Sequence, residues 1–254
     1  MNSNYKIDLS NQVAIITGSG RNIGKAIALE LARYGATIVV NAKTNRAEAE
    51  TVMKLINDNG GEAISVLADV GNETQVQQLI DTVLTRYGRI DILINNAGLR
   101  RSCALTAMTT DEWRQVLAVN LDAPFFCCRA VAPSMIAAKK GSIINISGLN
   151  AHIGRKQWAH VCASKTGAMG LTRALAVELA PYNITVNHVT PGAIDTSRSH
   201  GSDMLDTAKR LVGIPLGRLG LPQEIAAMCA FLVSDGARFI TGQTFHVNGG
   251  ALRC

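Results

Sequence analysis

Aromatic side chains are scarce in this chain, with Phe, Tyr and Trp together only 4% of 254 residues. A pocket built to grip a large steroid-like ring system would use more of them, so the scarcity favours a small polar substrate. No apolar run reaches the roughly 18 residues of a membrane-spanning helix, so no membrane partner is expected. The six cysteines, Cys103, Cys127, Cys128, Cys162, Cys229 and Cys254, include no CxxC pair. No HExxH occurs either, so no metal is expected. A basic block is also missing. Lys and Arg are scattered, and the net charge of +6 fits an anionic small molecule better than nucleic acid. The opening residues MNSNYKIDLSNQ carry no apolar signal core, which points to a reducing cytoplasm with the cysteines as small core residues.

What is present is a strongly patterned globular chain. Hydrophobic residues make up 47% and charged residues 17%, which excludes disorder. The length suits one α/β domain over residues 1–254. Apolar β-rich runs, VAIIT, TIVVN, AISVLA, IDILINN, SIINIS, ITVNHV and QTFHVN, alternate with helical stretches at 22–34, 45–59, 72–87, 110–138 and 157–180. Continuous apolar strands imply a sheet buried on both faces. The expected fold is therefore a Rossmann-type, doubly wound parallel sheet. Residues 196–213, rich in Ser, His, Gly and Asp, are expected to form a substrate lid.

The first strand runs into TGSGRNIG, Thr17 to Gly24, and then into a helix. A glycine-rich turn there lets phosphate approach the backbone, while the helix N-terminus attracts its charge. Gly18, Arg21, Asn22, Ile23 and Gly24 are the expected contacts. The second strand ends VVNAKTN, with Asn41 and no acid. An acid at this point would bind the ribose hydroxyls of NAD and repel a 2′-phosphate. Its absence, with Arg21 and Lys43 nearby, favours NADP(H) and leaves NAD(H) possible.

These residues, with four later motifs in order, resemble the short-chain dehydrogenase/reductase family, and the style is similar to its 3-oxoacyl-ACP reductase-like members. TGSGRNIG resembles the family's TGxxxGxG turn, with Asn22 where glycine is usual; asparagine tolerates left-handed backbone well. LADV, with Asp69 and Val70, resembles the adenine-contacting element. NNAG resembles the strand-four signature, giving Asn96, Ala97 and Gly98. HVTPGAIDT resembles the nicotinamide-holding segment, giving Pro191, Gly192, Ile194 and Thr196. TGQTFHVNGG resembles the C-terminal strand and turn. The resemblance implies a homotetramer joined through helices 110–138 and 157–180 and the C-terminal segment.

The family's chemistry rests on a tyrosine that exchanges a proton with the substrate oxygen, a lysine four residues later, a serine after strand five, and an asparagine in the long helix before it. Lys165 matches the lysine and Asn120 the asparagine. The tyrosine position holds Val161 and the serine position Gly148, and neither side chain has a proton to give. Ser147 and His160 lie one residue earlier in each case and keep the family's spacing of thirteen, so they are the expected replacements. Histidine suits proton transfer near neutrality. Against it, residues five apart on a regular helix are separated by about 140°, so His160 needs an irregular first turn to reach the Lys165 face. Cys162 is expected to pack, His188 and His246 to be structural, and Tyr87 and Tyr182 lie too far off to replace the phenol.

Basic residues collect in loops that leave the carboxyl ends of strands, where open α/β sheets bind ligands. They are Arg100 and Arg101, then His152, Arg155 and Lys156, then Arg198 and His200. Arg100, Arg155 and Arg198 are the expected substrate contacts, suited to a carboxylate or phosphate. The reading is an NADP(H)-dependent oxidoreductase that interconverts a carbonyl and an alcohol on a small polar or anionic molecule. Two alternatives remain open at this point: dinucleotide binding without redox turnover, in a sensor or assembly role, and non-redox catalysis in the same pocket.

Overall fold

Seven strands, all parallel, line up in the order β3-β2-β1-β4-β5-β6-β7. They are β1 Val13–Ile16, β2 Thr37–Ala42, β3 Ala63–Leu67, β4 Ile92–Asn95, β5 Gly141–Ile146, β6 Ile184–Pro191 and β7 Thr244–Val247. The structure is a computed structural model and describes residues 6–196 and 211–253. Every residue of β1, β4, β5 and β6 is buried, as expected for a parallel sheet covered on both faces. The Rossmann-type fold expected from the sequence is the fold observed.

One face is covered by α1 (Asn22–Arg33), α2 (Arg46–Asp58) and the helix Pro222–Val233, here α8. The other is covered by α3 (Glu73–Tyr87), α5 (Ala123–Ala138) and α7 (Ala159–Leu179). Short α4 (Thr110–Leu117) and α6 (Asn150–Ile153) are also present among the described residues. Local chemistry sets several of the starts. Asn45, Asn72 and Thr109 each accept the backbone N–H three residues on, at 3.2, 3.0 and 3.1 Å, as N-caps do. α8 was not among the expected helices, because its run IAAMCAFLV is nearly continuous rather than periodic.

The stretch 110–138 is not one regular helix. A π-helical turn, Ala118–Asp122, separates α4 from α5. Such a turn inserts an extra residue and re-aims side chains; here it carries Asn120. Thr110–Ala138 is long and apolar enough to cross a membrane by length and composition alone. Its apolarity is used in the core, where Val116, Cys127, Cys128, Val131 and Met135 are buried.

The strand order reverses at β1, which pairs with β2 on one side and β4 on the other. Loops leaving β1 and β4 therefore diverge and open a crevice at the carboxyl ends of the strands.

Candidate active site

The turn after β1 forms the near wall of that crevice. Gly18 has φ +62°, and Asn22 has φ +51°, the left-handed region that asparagine enters more readily than other side chains. Gly24 packs so closely that a β-carbon built on it would lie 2.4 Å from the Gly18 carbonyl oxygen and 2.5 Å from Asn96 Nδ2. Asn96 locks the arrangement by donating to the carbonyls of Thr17 (2.9 Å) and Gly18 (3.0 Å). Thr17 Oγ1 in turn accepts the N–H groups of Asn96 and Ala97, both at 3.0 Å. The result is a rigid backbone cradle at the N-terminus of α1, with Ile23 and Gly24 in its first turn and no acidic residue there. This fits a diphosphate, whose charge a helix N-terminus attracts.

Asn41, read from the sequence as a cofactor contact, turns inward instead. Its Oδ1 accepts the Gly18 N–H at 3.2 Å, and its Nδ2 donates to the carbonyls of Ala68 (3.1 Å) and Val66 (3.3 Å). It fastens the glycine turn to the end of β3. Lys43 pairs with Asp69 at 2.6 Å, and Asp69 also accepts the Gly71 N–H at 3.0 Å, while Val70 is buried. Arg21, 55% exposed, reaches Glu48 only at 3.8 Å. It stands at the cap of α1.

Across the crevice, Lys165 on α7 donates to the Ile146 carbonyl at 2.8 Å. A β-carbon built on Gly98 would lie 3.6 Å from both Lys165 Nζ and Asn120 Oδ1, so the loop after β4, the π-turn and α7 meet here. Burial, then the nearby Arg100 guanidinium, pushes the Lys165 pKa down to about 7. The Asn120 carboxamide is fully engaged. Its Oδ1 accepts the Leu99 N–H (2.8 Å), and its Nδ2 donates to the Leu99 carbonyl (3.0 Å) and to Ser164 Oγ (3.2 Å). Ser164 was not anticipated, although it directly precedes the lysine.

α7 is regular from Ala159 onward, so Val161, one turn before Lys165, shares its face. His160 lies on a different face and is fully buried, and neither ring nitrogen has a hydrogen-bond partner among the described residues. The structure thus places His160 in the first turn without the irregularity that would swing it toward Lys165. Ser147 continues the β5 ladder through its N–H to the Val189 carbonyl at 2.8 Å, and its buried Oγ has no partner among the described residues. At Gly148 a built β-carbon would meet nothing within 4 Å.

The segment after β6 is pinned from behind. Pro191 accepts the Leu149 N–H at 3.0 Å, and Gly192 donates to the Val247 carbonyl at 2.9 Å. A β-carbon on Gly192 would come within 2.7 Å of Asn248 Cα. Ile194 bridges Gly220, and Thr196 is the last described residue before position 211. A cavity of about 430 Å³ runs past Ile194, His246 and Asn248. Arg100 is exposed, and Arg155 stacks over the Trp158 ring at 4.2 Å. Arg198, His200 and residues 197–210 of the expected lid lie outside the described residues. Among the described residues five cysteines are free, and burial pushes the Cys127, Cys128 and Cys229 thiols up. Among the described residues no cluster could hold a metal.

A glycine cradle, an inward lysine and an asparagine bonded to the loop after β4 meet at the reversal point of a parallel sheet, the place where ligands bind in folds of this architecture. The comparisons agree. The family described as enoyl-(acyl carrier protein) reductase matches residues 18–251. A 3-oxoacyl-[acyl-carrier-protein] reductase of Synechocystis is 44% identical over 95% of this chain and 97% of its own. A protein of the same description from Staphylococcus epidermidis is 40% identical over 94% and 98%. The crystal structure of gox2181 superposes with a TM-score of 0.92 at 34% identity, covering 96% of this chain and 97% of the other. The chain belongs to the short-chain dehydrogenase/reductase family of oxidoreductases.

Proposed function

We propose that the protein is an NADP(H)-dependent oxidoreductase that interconverts a carbonyl and an alcohol on a small polar or anionic substrate, and that it works as a homotetramer. The observation that carries this reading is the placement of Lys165 Nζ beside Gly98 and Asn120, across from a glycine cradle that admits no β-carbon at Gly24. The dinucleotide, when bound, supplies the two-electron redox chemistry. The chain supplies binding, orientation and the proton. Gly18, Asn22, Ile23 and Gly24 would hold the diphosphate, Arg21 the 2′-phosphate, and Asp69 and Val70 the adenine end. Ala97, Gly98, Pro191, Gly192, Ile194 and Thr196 would line the nicotinamide end. Arg100 and Arg155 would bind an anionic group of the substrate.

Proton exchange is the atypical part of the proposal. With Val161 and Gly148 in place of the tyrosine and serine, Ser147 would bind the substrate oxygen. Lys165 would deliver the proton, since a lysine with a pKa near 7 is a competent acid at neutral pH. His160→Ala separates this route from one through the histidine: unaltered turnover across the pH range supports Lys165, and a lost limb of the pH profile supports His160. The relatives' names give 3-oxoacyl groups on a carrier protein as their substrate. The experiment follows NADPH absorbance with a 3-oxoacyl thioester, small oxo acids, neutral ketones and sugar-derived carbonyls. A rate with one class supports the reading and names the substrate. NADPH bound without turnover on any of them would refute it.

A further inference from the structure

The surroundings of Lys165 are those of an amine rather than of an anchored cation. A lysine that serves as a fixed charge away from bulk water is ordinarily matched by an acid. Lys165 is partly buried, bonds the neutral Ile146 carbonyl at 2.8 Å, and has no carboxylate among the groups that act on its charge. One turn earlier, the same face of α7 carries Val161, whose side chain offers the amine no hydrogen bond. Gly98 presents bare backbone to it, since a β-carbon built there would lie 3.6 Å from Lys165 Nζ. At Gly148, just past the end of β5, a built β-carbon meets nothing within 4 Å, so the strand opens into space.

Ser147 is an independent sign of a ligand. Asn145 donates to Thr172 Oγ1 on α7 at 2.9 Å. The Ser147 N–H keeps the ladder by donating to the Val189 carbonyl at 2.8 Å, so alternation turns the Ser147 side chain toward α7 as well. That side chain is buried, and its Oγ has no hydrogen-bond partner among the described residues. A buried hydroxyl left without a partner is costly. This one adjoins the residue whose carbonyl holds Lys165, and is a donor for an oxygen bound beside the lysine.

A neutral amine attacks a carbonyl carbon, whereas an ammonium cannot, because its lone pair already holds a proton. Desolvation and a neighbouring cation are the two means by which a lysine is kept in the reactive form. Both act here: burial, then the Arg100 charge, lowers the Lys165 pKa to about 7. A guanidinium also suits a carboxylate. The amine, the Ser147 hydroxyl and Arg100 thus match the carbonyl carbon, the carbonyl oxygen and the carboxylate of a small oxo acid.

We propose that Lys165 is a Schiff-base lysine, which captures a small oxo acid covalently when no dinucleotide occupies the crevice, with Ser147 holding the carbonyl oxygen and Arg100 the carboxylate. The inference goes beyond the oxidoreductase reading, because the step needs neither hydride nor cofactor. The lysine nitrogen forms a bond to the carbonyl carbon while the C=O π pair moves to oxygen, where the Ser147 hydroxyl donates to it. One amine proton passes to that oxygen and gives a carbinolamine. The hydroxyl then leaves with the second amine proton as water, and the nitrogen lone pair completes the C=N bond. Amine and carbonyl have become imine and water, nothing is oxidised or reduced, and hydrolysis by the same route returns both.

The test is borohydride trapping in the full-length, cofactor-free protein with pyruvate as probe, followed by peptide mapping by mass spectrometry. Borohydride delivers hydride to an imine and fixes it as a secondary amine. Near neutral pH the adduct should form on Lys165 at least about 10-fold faster than on any other lysine, because more of it is free amine, and NADPH should suppress it. Ser147→Ala should slow trapping by roughly 100-fold, the effect of removing one donor from a developing oxyanion, and Ser147→Thr, which keeps a hydroxyl, should restore it. Methyl pyruvate, which has the carbonyl without the charge, should need a higher concentration for half-labelling. No adduct on Lys165, or labelling spread evenly over the lysines, would overturn the proposal. Equal trapping in Ser147→Ala, or half-labelling by methyl pyruvate at the lower concentration, would overturn the assigned arrangement. Trapping at Lys165 in a protein that never oxidises NADPH would refute the oxidoreductase reading and leave the Schiff base standing; NADPH oxidation without trapping would do the reverse.

Discussion

Among the described residues Lys165 donates to the Ile146 carbonyl at 2.8 Å, and no carboxylate lies among the groups that shift its pKa. Burial, then the Arg100 charge, favours its free amine.

With a pKa of about 7, about nine-tenths of Lys165 is the free amine at pH 8, against under about 1% for an ordinary lysine. Amine-directed reagents such as trinitrobenzenesulfonate should therefore label it first at that pH, and NADPH should protect it. The linkage sign also follows. Between about pH 7 and the unfolded value of 10.5, the unfolded chain binds more protons at this site, so stability rises with pH across that window. Relative to Lys165→Met, the wild-type melting temperature should climb from pH 7 to about pH 10. A flat difference would show an ordinary lysine.

Arg21 stands at the α1 cap with only a distant acidic neighbour. Removing a charged hydrogen bond costs about 1.5 to 3 kcal/mol. Arg21→Ala should weaken NADPH binding by roughly 10- to 100-fold and leave NADH nearly unchanged, as isothermal titration would measure. Equal losses for both dinucleotides would place the 2′-phosphate elsewhere.

Gly24→Ala should abolish dinucleotide binding, because its β-carbon would fall 2.4 Å from the Gly18 oxygen. The melt should drop by several degrees, as a strained backbone shift demands. Tight NADPH binding by this variant would mean that the turn relaxes freely.

Gly148→Ser should fold as well as the wild type, since its β-carbon meets open space. Val161→Tyr should cost about 1 to 3 kcal/mol from overpacking, because Val161 is only 4% exposed. The pair together places a phenol one turn from Lys165, and turnover should rise with the optimum moving to higher pH. Denaturant melts and pH–rate profiles check both halves. A severe loss of stability in Gly148→Ser alone would contradict the open space.

All seven strands were legible as short apolar, β-rich runs between turns, and the outer bounds of five helical stretches were found within a residue or two. The π-turn at 118–122 was not legible: an inserted residue leaves apolar spacing nearly unchanged, although it decides where Asn120 points. Glycine positions read directly, since a turn that excludes β-carbons must be written in glycine. Asn41 was read by its place at a strand end, but a buried amide must satisfy its hydrogen bonds, and here the backbone claims them. The approach of the His152 ring to His188 and His246, with centroids 6.4 and 4.6 Å apart, was missed for a related reason. His152, His188 and His246 are far apart in sequence, and only the adjacency of β6 and β7 beneath α6 gathers them. Polar residues breaking the buried strand ITVNHVTP were the one sequence sign.

The most direct test of redox function uses NADPH deuterated on the nicotinamide ring, with the best carbonyl substrate and mass spectrometry of the product. The account predicts one deuterium on the carbinol carbon, together with oxidised cofactor in equal amount. Product without deuterium, or bound cofactor unchanged beside every substrate, would contradict it.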